Sequence, residues 1–219
     1  MNKFNSAISA QTPQLNGCRK LRFRINSLNL RFKNQMKIVK VHDKEFVPYL
    51  SNDEIQTIIK DLALKVYEDY KDETPVFIGV LNGVIMFFSD FLKHYPGKCE
   101  IAFIQMSSYS GTTSTGIVYK KMDLTKEVEG RHIILMEDIV DTGNTIESLF
   151  EYFKNTQRPK SLRVASLLLK PDVYKKEFKI DYVAKEIPNK FVLGYGLDYY
   201  ELGRNLPDLY QLAEGRINH

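Results

Sequence analysis

The stretch that decides the fold is His132-Ile133-Ile134-Leu135-Met136-Glu137-Asp138-Ile139-Val140-Asp141-Thr142-Gly143-Asn144-Thr145. Its opening apolar run suits a strand buried on both faces. Two acids, Glu137 and Asp138, stand where that strand ends. A tight turn follows, holding Asp141, Thr142 and the conformationally permissive Gly143. Beyond it Ile146, Leu149, Phe150 and Phe153 recur at i, i+3, i+4 and i+7, the spacing of one helical face. Strand, turn and helix in this order build an α/β sheet, and ligands of such sheets sit beyond the carboxyl ends of the strands.

Working outward, the same alternation repeats. Ser51-Asn52-Asp53-Glu54 reads as a capping box, and Ile55, Ile58, Ile59, Leu62 and Val66 share the face of the helix it opens. Val76-Phe77-Ile78-Gly79-Val80 is a second buried strand, and Leu81-Asn82-Gly83 turns it into a helix carrying Val84, Phe87, Phe88, Phe91 and Leu92. A strand is expected between Lys98 and Met106, and another over 162–169, ending at Lys170. Two short apolar pieces lie around Tyr182 and Phe191, and a first strand is expected from Met36 after a basic leader. Pro48 is expected in a loop, and residues 107–119 form a long polar stretch of the kind used for lids. The prediction is an α/β fold, a mostly parallel twisted sheet flanked by helices.

The turn at 141–145 carries chemistry. Backbone N–H groups at a helix N-terminus make a phosphate site, Thr142 and Thr145 add hydroxyl donors, and Gly143 permits close approach. Three carboxylates beside such a cradle would repel a phosphorylated ligand unless they meet sugar hydroxyls or a hydrated magnesium ion. Asp141 or Asn144 acting only as helix cap leaves the adjacent Glu137-Asp138 pair unexplained, since bare acids at a strand end are costly. The residues read as a sugar-phosphate site.

Glu137 to Thr145 resembles the phosphoribosyl pyrophosphate motif of the type I phosphoribosyltransferases, and residues 37–210 resemble their hypoxanthine–guanine branch. The resemblance implies the type I fold with a small C-terminal hood, drawn from 36–47 and 170–205 of a domain spanning 36–219. It implies that Glu137 and Asp138 bind ribose hydroxyls partly through Mg2+, and that Asp141, Thr142, Gly143, Asn144 and Thr145 wrap the 5′-phosphate. Asp141 is then the general base toward purine N7. Lys170 matches the lysine that donates to O6, which favours a 6-oxopurine over adenine because an ammonium only donates. Phe191 would stack on the base, the Val192 backbone would meet its edge, and Asp198 would hold a second magnesium. Leu81, Asn82 and Gly83 match a pyrophosphate loop in which the family uses a cis peptide, with Arg204 supporting the anion. Many relatives carry a basic residue where Asn82 stands. Ser108 and Tyr109 match the lid. The implied reaction joins phosphoribosyl pyrophosphate to hypoxanthine, and possibly guanine, in purine salvage.

Charge and composition bound the remaining classes. Residues 1–35 hold seven basic side chains and no acid, more than the overall net charge of +4, so the rest of the chain is net −3. This extension fits a transit peptide, a nucleic-acid-binding arm, a disordered tail or an upstream start; a disordered tail or an upstream start is the expectation, with no nucleic-acid partner. A regulator acting on RNA or DNA would show a basic face or an added winged-helix domain. The acidic body shows no basic face and the extension is too short for such a domain, while the basic extension is the feature that keeps the regulator alternative open. No apolar run approaches the roughly 20 residues of a membrane helix. Cys18 and Cys99 lack metal spacing, and neither Walker A nor GxGxxG is present. A cytoplasmic homo-oligomer, dimer or tetramer, is the expectation that goes with the resemblance.

Overall fold

The computed structural model describes residues 37–108, 118–122, 124 and 126–213. The basic extension and Tyr109 lie outside the described residues. Two antiparallel strands come first, β1 (Val39–Val41) and β2 (Lys44–Leu50). Helix α1 (Asn52–Tyr70) starts at Ser51, whose hydroxyl accepts the Glu54 N–H while the Glu54 carboxylate accepts the Ser51 N–H at 2.9 Å. This is the reciprocal cap the residues predict. Then follow β3 (Val76–Leu81), α2 (Ile85–His94), β4 (Glu100–Ser108), β5 (Val118–Met122), β6 (His132–Val140) and α3 (Asn144–Thr156). The chain closes with β7 (Ser161–Leu169), β8 (Tyr182–Glu186), β9 (Val192–Leu193) and β10 (Leu209–Leu212).

The main sheet has the order β5-β4-β3-β6-β7-β8. Five of its strands run parallel, and β5 adds antiparallel to β4. Alternate residues of β3 and β6 feed two cores. Phe77, Ile134 and Met136 pack with α1 and α2, through Ile59, Val66, Phe87 and Phe91. Val76, Ile78, Ile133 and Leu135 pack with α3, through Ile146, Leu149 and Phe153. Helices therefore cover both faces, the α/β arrangement the sequence predicts.

A second, antiparallel sheet has the order β1-β2-β10-β9. Phe46, Leu193 and Tyr210 form its small core. Pro48 lies within β2 rather than in a loop. It pairs with Tyr210 beside a register shift at Leu209/Tyr210, and such an irregularity accommodates a residue with no N–H to give. The polar run 107–119 also differs from expectation at its ends, which belong to β4 and β5. Backbone pairing there does not depend on apolar alternation. Helix α3 begins at Asn144, two residues ahead of Ile146, because Gly143 at φ 84° turns the chain directly into it.

Candidate active site

The order β3-β6-β7 brings the carboxyl ends of three strands side by side, with Asn82 and Gly83 following β3, Asp141 to Thr145 following β6 and Lys170 following β7. Near the end of β6, Oε2 of Glu137 is buried without a hydrogen-bond partner. Asp138, only 9% exposed, accepts the Ile139 N–H at 2.9 Å. Burial pushes the Glu137 carboxyl well above its usual range, and the neighbouring charge of Asp138 adds to this. Burial likewise pushes Asp138 up to about 6, against the opposing pull of backbone N–H groups and Arg204. Two acids this poorly satisfied call for hydroxyl donors or a cation.

Magnesium fits that demand. Among the described residues no three His, Cys, Asp or Glu side chains are grouped to hold a metal by themselves. Mg2+ commonly takes one or two carboxylates and completes its shell with water and phosphate oxygens. Glu137 and Asp138 supply that partial set.

At the turn after β6, Gly143 is the N-cap of α3 and no side chain caps the helix. Asp141 and Asn144 therefore do not serve as caps, and the first-turn N–H groups keep the anion-binding character of an uncapped N-terminus. A Cβ on Gly143 would stand 2.5 Å from the Tyr174 ring and 2.9 Å from Lys176 Cγ. Lys176 in turn donates to Glu147 of α3 at 2.6 Å. Tyr174 and Lys176 thus buttress the turn, a role with no motif to mark it in the sequence.

At the end of β7 the Lys170 N–H donates to the Val140 carbonyl at 3.0 Å. Its ammonium, on a residue 7% exposed, reaches Asp141 Oδ2 at 2.8 Å. The two groups assigned to purine O6 and N7 are therefore adjacent. Phe191 offers an exposed ring (44%) backed by Phe46, with centroids 6.1 Å apart, and by the edge of Tyr199 at 5.7 Å. Val192 follows it, buried in β9.

The third cluster surrounds the loop between β3 and α2. The Leu81–Asn82 peptide is cis. A Cβ on Gly83 would lie 1.7 Å from Asp138 Oδ2, so only glycine fits between this loop and the acidic pair. On the other side, a Cβ on Gly196 would come within 2.0 Å of the Gly83 carbonyl oxygen. Arg204 donates to the Gly196 carbonyl at 3.0 Å and pairs with Asp198 at 2.6 Å. Asp198 and Arg204 both act on the charge of Asp138, with opposite signs. The Asn82 side chain accepts from Gln105 at 3.2 Å. Ser108 ends β4, and its lid partner Tyr109 lies outside the described residues.

Residues 49–200 match the family model described as phosphoribosyl transferase domain. The chain belongs to the phosphoribosyltransferase family. It is 41% identical over 166 residues to the hypoxanthine-guanine phosphoribosyltransferase of Streptococcus pneumoniae, covering 75% of this chain and 92% of that one. It is 41% identical over 174 residues to the hypoxanthine-guanine-xanthine phosphoribosyltransferase of Tritrichomonas foetus, covering 78% and 93%. The crystal structure of a Staphylococcus aureus hypoxanthine phosphoribosyltransferase superposes with a TM-score of 0.71 at 40% identity, over 76% of this chain and 90% of that one. A Trypanosoma cruzi hypoxanthine phosphoribosyltransferase complexed with the product IMP gives 0.71 at 36% identity, over 80% and 93%. This phosphoribosyltransferase thus groups with the enzymes of the hypoxanthine–guanine branch. No helix among its described residues is long and apolar enough to cross a membrane.

Proposed function

We propose that this enzyme transfers the phosphoribosyl group of phosphoribosyl pyrophosphate to hypoxanthine, and to guanine, yielding IMP or GMP and pyrophosphate in purine salvage. The observation that carries the reading is the buried Lys170 ammonium held 2.8 Å from Asp141 at the strand ends. O6 and N7 lie next to each other on one edge of a purine. Lys170 donates to O6, a contact the 6-amino group of adenine cannot accept. Asp141 takes the N7 proton while N9 forms the bond to the anomeric carbon and pyrophosphate leaves. Phe191 stacks on the base from its exposed face.

The α3 N-terminus with Thr142, Gly143, Asn144 and Thr145 receives the 5′-phosphate. Glu137 and Asp138 meet the ribose hydroxyls and would hold one Mg2+, and Asp198 would hold a second on the pyrophosphate side; when bound, the metal supplies charge neutralisation for the leaving pyrophosphate. Asn82, Gly83 and Arg204 orient that leaving group, with backbone N–H groups replacing the side-chain charge Asn82 lacks. Ser108 and Tyr109 belong to a lid that keeps water from capturing the ribosyl cation. The same reading makes the enzyme cytoplasmic and homo-oligomeric.

The test offers hypoxanthine, guanine, xanthine and adenine separately, with magnesium and phosphoribosyl pyrophosphate, and follows nucleotide formation. IMP without AMP is the expected result. Donor binding with no nucleotide from any base would contradict the reading and turn attention to a regulatory protein.

A further inference from the structure

Tyr195 is fully buried, yet its phenol makes polar contacts to two helices. It donates to Asp90 Oδ2 of α2 at 2.5 Å. The same oxygen accepts from Gln56 of α1 at 2.6 Å, and the other Asp90 oxygen accepts from Lys93 at 2.7 Å. Burial raises the Asp90 carboxyl, but these three donors outweigh it and hold the group below its usual range. Asp90 is therefore a fixed, charged anchor on the helix that starts just after the loop at Asn82 and Gly83.

The backbone around Tyr195 is as constrained as its side chain. Gly194 and Gly196, both at φ 98°, flank a tyrosine at φ 48°. The Tyr195 N–H donates to the Leu206 carbonyl at 2.8 Å and the Gly196 N–H to the Arg204 carbonyl at 2.9 Å. Gly196 rests on the Gly83 carbonyl, and its own carbonyl accepts from the Arg204 guanidinium. One phenol thus ties to α2 the turn against which both Gly83 and Arg204 are seated.

We infer that Tyr195 is a positioning residue for the pyrophosphate half of the site, acting through the 194–197 turn on Gly83 and Arg204. This rests on the assignment of those two residues to pyrophosphate. The base half is held by other contacts, Lys170 with Asp141 and Phe191 with Phe46 and Tyr199. Tyr195→Phe keeps the ring in the core and leaves Asp90 two donors, so the fold should hold.

The test is initial-rate kinetics of the full chain in both directions, forward and from IMP plus pyrophosphate. Tyr195→Phe should raise KM for phosphoribosyl pyrophosphate and for pyrophosphate about tenfold, the scale of one charge-assisted hydrogen bond, and leave that for hypoxanthine within about twofold. In an Asp90→Ala background the same substitution should add nothing further. Unchanged KM values, an equal rise for base and donor, or full additivity with Asp90→Ala would overturn the inference. Arg204→Gln separates the two layers. If it raises the pyrophosphate KM while Tyr195→Phe does not, only this inference falls. If it leaves that KM untouched, the pyrophosphate assignment falls and takes the inference with it.

Discussion

Lys170 and Asp141, 29 residues apart in sequence, form an ion pair of 2.8 Å in which the lysine is buried and the carboxylate nearly half exposed. The asymmetry matters. The lysine depends on its partner for compensation, whereas the aspartate can turn to water. A purine presenting N7 and O6 to this pair meets a donor and an acceptor already in register.

Asp141→Asn is expected to retain donor binding while turnover falls roughly 10²–10⁴-fold, the usual worth of a positioned acid or base. Single-turnover rates beside equilibrium titration of phosphoribosyl pyrophosphate measure the two quantities separately. Near-normal turnover would remove Asp141 from the base role.

Removing either partner should also affect stability unequally. Asp141→Ala strands a buried ammonium and should cost about 1–3 kcal/mol. Lys170→Ala leaves a hydrated carboxylate, so chemical denaturation should show a smaller loss. It should weaken oxopurine use far more than donor binding. Equal destabilisation by the two variants would mean that the lysine finds another partner.

Gly83→Ala should reduce activity at least about 100-fold, because its Cβ would overlap the Asp138 carboxylate and overlap on that scale displaces backbone. Gly130→Ala is the control. Gly130 has φ 68° with nothing near its Cβ, so alanine there should cost about 1–2 kcal/mol of stability and leave kcat unchanged. A fully active Gly83→Ala enzyme would show that the loop does not need its present seat on Asp138.

Asp138 ties stability to pH against function. Burial raises its folded pKa from 3.8 to about 6, so the folded state keeps a proton that the unfolded chain releases. Its contribution to stability is complete below 3.8 and is lost as pH rises through 6. Asp138→Asn removes that loss. The variant should match the parent near pH 3.5 and exceed it at pH 7.5 by up to about 3 kcal/mol, at 1.36 kcal/mol per unit, while turnover collapses. Thermal melts at the two pH values check the sign. An Asn variant less stable at pH 7.5 would mean that Asp138 is held charged by partners that outweigh its burial.

Much of this was legible in the chain because it is local. The run 132–145 contains its own strand, acids, turn and helix, and Ser51 with Glu54 marks a helix start within four residues. Lys170 is readable in the chain only as a strand-end lysine, and its pairing with Asp141 is visible only in the fold. The contacts of Gly83 with Asp138 and Gly196 are long-range, and glycines give no sign of which neighbour excludes a side chain. Tyr195 between two glycines is a weak signal, since its partner Asp90 lies 105 residues away. Strands β2, β5 and β10 carry no such local mark, since β2 contains a proline, β5 is polar and β10 is short, and each is ordered by the strand it pairs with.

The most direct measurement of the central claim is equilibrium binding of IMP and AMP to the wild-type enzyme and to Lys170→Ala. A site built to donate to an oxo group should prefer IMP by roughly 10²-fold or more, and the alanine variant should lose most of that preference. Equal affinity of the wild-type enzyme for the two nucleotides would contradict the assignment of Lys170 and the reading of this site as one for 6-oxopurines.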